Sequence, residues 1–264
     1  MMTQIEQIII QGGGSSIKEL MDDNLFERLI NSCLLGVNFS FRDYLPTALC
    51  CADFKFYSGK IKPIYYNNKL IKNAYDDSFR KELKNLPLII APGREDLLNN
   101  ITEKNEKVRM DNTLFLNYLT AHQYYGKKQN KENSIYGIDL SGIWALGVAC
   151  KLNPKEIYLL GFDFGDFGNG THYYNHTKHR GIGAVSRDWY NNNQADYYFM
   201  PFVKDYSNIK IYNVSLKSKI TCFEKINKES FFNKIKRLPN NLSQEALRKQ
   251  ISYLLTPYLT QHSC

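Results

Sequence analysis

Ile5-Glu6-Gln7-Ile8-Ile9-Ile10 is a short isoleucine-rich run that stops at Gly12-Gly13-Gly14-Ser15-Ser16, after which Ile17-Lys18-Glu19-Leu20-Met21 takes up helical spacing. A strand, a glycine turn and a helix in that order open a nucleotide-binding α/β domain. Three further apolar runs, Cys33 to Val37, Ala52 to Tyr57 and Leu88 to Ala91, are short, bounded by turn residues and separated by helical patterns. Strands buried on both faces read this way, so the pattern predicts an α/β fold with a mainly parallel sheet.

Farther along, the composition turns polar between Asn99 and Asn133, with Lys104, Lys107, Lys127, Lys128 and Lys131 around the apolar island Leu114 to Tyr118. Weak periodicity and little to bury predict an inserted lid over 99–133. Ser141-Gly142 then precedes the helical stretch Ile143 to Leu152, Asn153-Pro154 stops it, and Glu156 to Gly161 has a buried-strand pattern. Arg187 to Phe202 reads as helical and aromatic, and Ile209 to Val214 as a final strand. Lys228 to Arg237 and Ser243 to Leu255 read as basic amphipathic helices split by Pro239-Asn240-Asn241. The division expected is a nucleotide-binding α/β domain over 1–226, carrying the insertion, and a C-terminal basic helical extension over 227–264.

The composition supports a large core. Of 264 residues, 43% are hydrophobic and 14% aromatic, which excludes global disorder. The net charge of +8 favours an anionic partner, and a nucleotide, an acidic glycan, a membrane surface and a nucleic acid all qualify. No apolar run reaches the roughly 18 residues of a membrane span, and no basic leader precedes the first strand, so no secretory signal is expected. Six cysteines, Cys33, Cys50, Cys51, Cys150, Cys222 and Cys264, form no C-x-x-C pair. They read as free, mostly buried thiols of a cytoplasmic protein.

Glycines let a backbone approach a ligand closely, and the helix behind Gly12, Gly13 and Gly14 offers unpaired N–H groups to an anion. A Cβ at Gly14 is then expected to crowd that ligand. Ser15 and Ser16 add hydroxyls and also suit capping, so the turn reads as a phosphate cradle or as a tight strand–helix connection. Asn38 closes the second strand at the edge where open parallel sheets collect ligands, and Asn is equally a turn former. Ser141-Gly142 is a second anion-facing helix start, or plain N-capping. In Gly161-Phe162-Asp163-Phe164-Gly165-Asp166, Asp163 suits a ribose, a lid contact or Mg²⁺, and equally a buried acid that satisfies amides of its own turn.

Three of the five histidines, His172, His176 and His179, fall within Thr171 to Gly181 beside Tyr173, Tyr174, Lys178 and Arg180. No cysteine accompanies them and the spacing fits no standard structural zinc site. A catalytic or phosphate-facing cluster suits them better, because imidazole titrates near neutrality and Arg pairs phosphate bidentately. A polar surface loop is the plain alternative.

Ile8 to Leu20 resembles the opening strand, turn and helix of the bacterial lipooligosaccharide sialyltransferases, and Ser141 to Phe164 resembles their second nucleotide-binding segment. Asn38 stands where that family keeps an Asn. A related pattern occurs in archaeal-type hydroxymethylpterin pyrophosphokinases and motility accessory factors, and Thr171 to Tyr174 with His179-Arg180-Gly181 is similar to phage-encoded relatives. The resemblance implies a Rossmann-like domain that binds a cytidine nucleotide sugar through Gly12, Gly13, Gly14, Ser15, Ser16, Asn38, Ser141, Gly142, Gly161 and Asp163. It also implies metal-independent inverting transfer, with a His activating the acceptor hydroxyl and two tyrosines stabilising the leaving phosphate. Gly13 stands in place of the family's Asn, Leu140 in place of its hydroxyl residue, and no His lies around Ala195 to Phe199. The base therefore falls to His179, then His176, then His172, with Arg180, Tyr173 and Tyr174 on the departing phosphate.

The reading is a glycosyltransferase that moves a sugar from a nucleotide-activated, CMP-linked donor to an acceptor hydroxyl on a glycan or on modified DNA. No cofactor beyond the donor is expected. One alternative is pyrophosphate transfer to a pterin-like substrate, with Mg²⁺ on Asp163 and Asp166. Another is a nucleotide- or DNA-binding module using Lys228, Lys234, Lys236, Arg237, Arg248 and Lys249. A phage-encoded enzyme would work in the host cytoplasm, and self-association is a further expected contact.

Overall fold

Gln7–Gln11 forms β1, and all five of its residues are buried. The computed structural model describes residues 4–21, 23–52, 64–66, 69–71, 77–93, 111–126, 132–137, 140–164 and 195–260. β1 pairs in parallel with β2 (Leu34–Val37) on one side and β10 (Glu156–Leu160) on the other. Beyond β2 come β3 (Ala48–Cys50), β6 (Ile89–Pro92) and β7 (Thr113–Leu116), and beyond β10 come β11 (Lys210–Asn213) and β12 (Glu224–Lys225). The eight strands, in the order β12-β11-β10-β1-β2-β3-β6-β7, are parallel throughout. Two small sheets pair β4 (Ile64–Tyr66) with β5 (Lys69–Ile71) and β8 (Tyr118–Leu119) with β9 (Ile135–Tyr136).

Alternation along each strand sends side chains to both faces, and helices cover both. Ile8, Ile10, Leu35, Cys50, Ile157 and Leu159 face α5 (Ser141–Lys151), α6 (Ala195–Asp205) and α8 (Gln244–Leu255). Ile9, Leu34, Tyr158 and Leu160 face α1 (Ile17–Met21), α2 (Leu25–Arg28) and α7 (Lys228–Lys234). Leu49, Ile89 and Ala91 meet Leu83 of α3 (Asp77–Lys84) on that second face. The remaining helix, α4 (Ala121–Tyr125), opens with a Thr120–Gln123 capping box.

Helix α5 is apolar around its whole circumference, and Ile143 to Cys150 are all buried, as a helix enclosed by other elements requires. The indole of Trp144 donates to the Ile90 carbonyl at 3.2 Å and fixes its height over the sheet. Pro201 lies inside α6 and removes the amide that would have bonded the Tyr197 carbonyl. The Tyr125 hydroxyl donates to that carbonyl instead, at 2.9 Å.

The α/β class and the parallel sheet form as the sequence predicts. The third strand lies at Ala48–Cys50 rather than at Ala52 to Tyr57, where residues 53–57 fall outside the described residues. Thr47 sets the position: its N–H donates to the Leu34 carbonyl at 2.8 Å, starting the pairing four residues earlier than the apolar run suggests. Of the segment read as an insertion, 99–110 and 127–131 lie outside the described residues, and Leu114 to Leu116 of the apolar island join the main sheet in β7. The C-terminal helices form and enter both cores, through Phe231 on one face and Leu247, Ile251 and Leu255 on the other. Cys33, Cys50, Cys51 and Cys150 are buried free thiols. Burial pushes the Cys33 thiol up to about 12, and those of Cys50 and Cys150 in the same direction.

Candidate functional site

From the adjacent strands β1 and β10 the chain proceeds in opposite directions, to β2 on one side and β11 on the other. Outside the carboxyl ends of such a pair lies the crevice where open α/β sheets take ligands. The turns after β1 and β10 meet there. The Gly12 N–H donates to the Leu160 carbonyl at 2.8 Å, and the Gly14 N–H to the Gly161 carbonyl at 2.9 Å. The second turn is pinned from its far side as well. The Phe162 carbonyl accepts from the Asn213 amide at 3.1 Å and from the Ser218 hydroxyl at 2.7 Å, and the Asp163 carbonyl from the Lys219 N–H at 2.9 Å.

These contacts explain the glycines. A Cβ on Gly14 would stand 2.5 Å from the Gly161 carbonyl oxygen and 2.6 Å from the Asp163 carboxylate, and Gly161 itself has φ +68°. The turn after β10 therefore requires a bare backbone at Gly14, as the reading of a tight strand–helix connection expects. Gly14→Val should destabilise the protein by about 1–3 kcal/mol or more, as overpacking of a tight contact does. An unchanged midpoint in a thermal melt would show that the turn yields.

Asp163 is 3% exposed. Its Oδ2 accepts from the Ser16 N–H at 2.8 Å and lies 3.4 Å from the Ser15 hydroxyl. The carboxylate thus seals the head of α1, where the partial positive charge of the first amides favours an anion. Among the described residues the other oxygen, Oδ1, is buried without a partner, and so is the hydroxyl of Ser16.

The head of α5 is arranged differently. Its N-cap is Leu140, which supplies no side-chain cap. Ser141 does not cap its own helix: its hydroxyl accepts from the N–H of Ala52, just beyond β3, at 3.1 Å. Gly142 lies against the Phe162 ring, which a Cβ would approach to 3.1 Å. Among the described residues, no side chain accepts from the first amides of α5, at the same edge of the sheet as the sealed head of α1. An open helix head of this length is suited to a phosphate.

Asn38 follows β2 with φ 51°, a left-handed turn conformation, and opens a 3-10 turn over Asn38–Arg42. Among the described residues its side-chain oxygen is buried and has no partner. The turn-forming reading of Asn38 is the one its backbone shows. Asn213 and Ser215, at the end of β11, also carry a buried oxygen without a partner. Sequence reasoning passed over them, although the rule that singled out Asn38, an Asn closing a strand at this edge, applies equally to Asn213. Asp166, His172, Tyr173, Tyr174, His176, His179 and Arg180 lie outside the described residues. Among the described residues, no three His, Cys, Asp or Glu side chains gather as a metal site would need.

No protein-family model matches the chain, and no curated protein matches it. Two solved structures resemble it in shape. The sialyltransferase CstII from Campylobacter jejuni, in complex with the substrate analogue CMP-3FNeuAc, aligns with 91% of this chain and 93% of its own at 18% identity and a TM-score of 0.40. The monofunctional alpha-2,3-sialyltransferase Cst-I from the same organism aligns with 96% of each chain at 17% identity and a TM-score of 0.45. At these values neither bears on which residues act in this chain.

Proposed function

We propose that the chain is a glycosyltransferase that takes a nucleotide-activated sugar in the crevice beyond β1 and β10. The observation that carries this reading is the uncapped head of α5, open beside a second helix head that Asp163 has already sealed. The donor diester lies on the amides of Ser141 and Gly142, where a helix start favours negative charge. The orphaned oxygens of Ser16, Asn38 and Asp163 are placed to meet ribose or base, because buried polar atoms find partners in a working complex. The turns Gly12 to Ser16 and Gly161 to Phe164 are the fixed wall against which the nucleotide rests. The departing phosphate falls to Arg180, Tyr173 and Tyr174, and the acceptor proton to a histidine of the same segment.

Thermal shift against cytidine, uridine, guanosine and adenosine nucleotides, with Mg²⁺ and with EDTA, tests the reading. A ligand that binds only the folded state stabilises it by about 2.7 kcal/mol when present at about 100 times its Kd. A cytidine nucleotide is expected to do so in EDTA. Leu140→Asp, which supplies α5 with its own anionic cap, should weaken nucleotide binding about tenfold or more while a cap worth about 0.5–2 kcal/mol supports the helix. Equal affinity in a folded Leu140→Asp protein would remove the phosphate from α5. Binding seen only with Mg²⁺ would favour the pyrophosphate-transferring alternative through Asp163 and Asp166.

A further inference from the structure

A cavity of about 220 Å³ is lined by residues of α4, α5 and α6. Lys151 ends α5 and Asp205 ends α6, and each precedes a strand that starts at the amino edge of the sheet. Both line the cavity, with Tyr124, Ser134, Phe202 and Tyr206 among its other walls. The cavity is large enough to hold several waters, and so a small metabolite.

Two opposite charges share this space without pairing. Among the described residues, Lys151 forms no ion pair, with Asp205 or any other acid, and no hydrogen bond. Its ammonium sits instead 4.9 Å from the centre of the Tyr258 ring and 5.9 Å from that of Tyr206. The Asp205 carboxylate accepts the Tyr124 hydroxyl at 2.6 Å. Burial holds the Lys151 ammonium below the usual lysine range, against the opposing pull of Asp205. Ring faces restore only part of the hydration that a half-buried ammonium gives up.

We infer that this cavity binds a small zwitterion of the amino-acid class. Lys151 receives the carboxylate, Asp205 the ammonium, and the tyrosine rings a short aliphatic body. The presence of both protein charges on one cavity, unpaired with each other, is the determinant. A ligand with one charge satisfies one wall and leaves the other as it is, whereas an amine-carboxylate satisfies both.

Saturation-transfer NMR on the full chain tests this with L-valine as the probe, and with isobutyrate and isobutylamine as its single-charge counterparts. L-Valine at millimolar concentration should receive saturation, and the counterparts at least about tenfold less, the share expected of one lost charge-assisted contact. Lys151→Met and Asp205→Asn should each abolish the valine signal, and a cytidine nucleotide should leave it unchanged. Asp205 is exposed, so its variant keeps the fold even if Lys151→Met does not. No transfer to L-valine would overturn the inference and leave Lys151 as a charge complementing the last turn of α5. So would equal transfer to isobutyrate, or a valine signal that survives Asp205→Asn. Displacement of valine by the nucleotide would merge this cavity with the crevice and also overturn it.

Discussion

A chain ending at Pro239 is expected not to fold. Leu247, Ile251 and Leu255 of α8 are fully buried against the sheet face that carries α5. Each contributes about 1.5–3 kcal/mol of apolar burial, and their sum approaches the whole stability of about 5–15 kcal/mol of a typical domain. The polar ties run the same way. Gln244 accepts from the Thr47 hydroxyl at 2.8 Å and donates to the Ser32 carbonyl at 2.9 Å, holding the start of α8 beside the entries to β2 and β3. Beyond α8 the chain returns to the outer strand, where the Thr260 N–H donates to the Phe115 carbonyl at 3.0 Å and the Asn117 N–H to the Tyr258 carbonyl at 2.7 Å. Truncation would therefore strip one face of the core and unpair the β7 edge together. Circular dichroism of the truncated protein should show no cooperative melt, and Leu247→Ala in the full chain should cost about 2–5 kcal/mol. A truncated chain that melts cooperatively near the wild-type midpoint would make the segment an appendage after all.

The sequence reading made this segment a basic amphipathic extension, and the structure shows what its apolar side packs on. Lys249 does reach outward, to Glu245 in an exposed pair at 2.8 Å, but Arg248 donates to the Thr47 carbonyl at 3.2 Å and the opposite side of the same helix is core. Local periodicity reveals an apolar stripe without saying what it packs on. The same limit hid the place of Leu114 to Leu116, since a strand that pairs in parallel with β6 gives no local sign of its partner. It also blurred the glycine turn. Whether a missing Cβ makes room for a ligand or for the protein's own backbone depends on Asp163, which lies 147 positions from Ser16. What was legible was local and strongly patterned: the run into Gly12 to Ser16, the helix from Ile143, and the strand from Glu156. Those three pieces meet at the crevice, so that meeting place could be read from sequence while the contacts within it could not.

Replacing the general base should lower turnover by about 10²–10⁴-fold while leaving nucleotide binding intact, and His179→Ala is the variant expected to do so. The described residues on either side of the segment explain the choice. The chain leaves β10 through a turn held by Ser16, Asn213, Ser218 and Lys219, at the carboxyl edge of the sheet. It re-enters the described structure at Ala195, where Asp196 accepts the Thr221 N–H at 2.8 Å and the Cys222 N–H at 3.2 Å. The ring of Phe164, at the exit, meets that of Phe199, one turn past the re-entry, at 5.1 Å. Both ends of the segment that carries His172, His176 and His179 are thus anchored next to each other beside the crevice. An imidazole with a pKa of about 6.5 accepts a hydroxyl proton at neutral pH. The base is active when deprotonated, so the rate should rise with pH through the histidine range and flatten above it, and that rise should vanish in His179→Ala. His176→Ala and His172→Ala complete the set, because the three histidines share this segment. Full activity of all three variants with donor and acceptor present would take the proton-accepting role away from this segment.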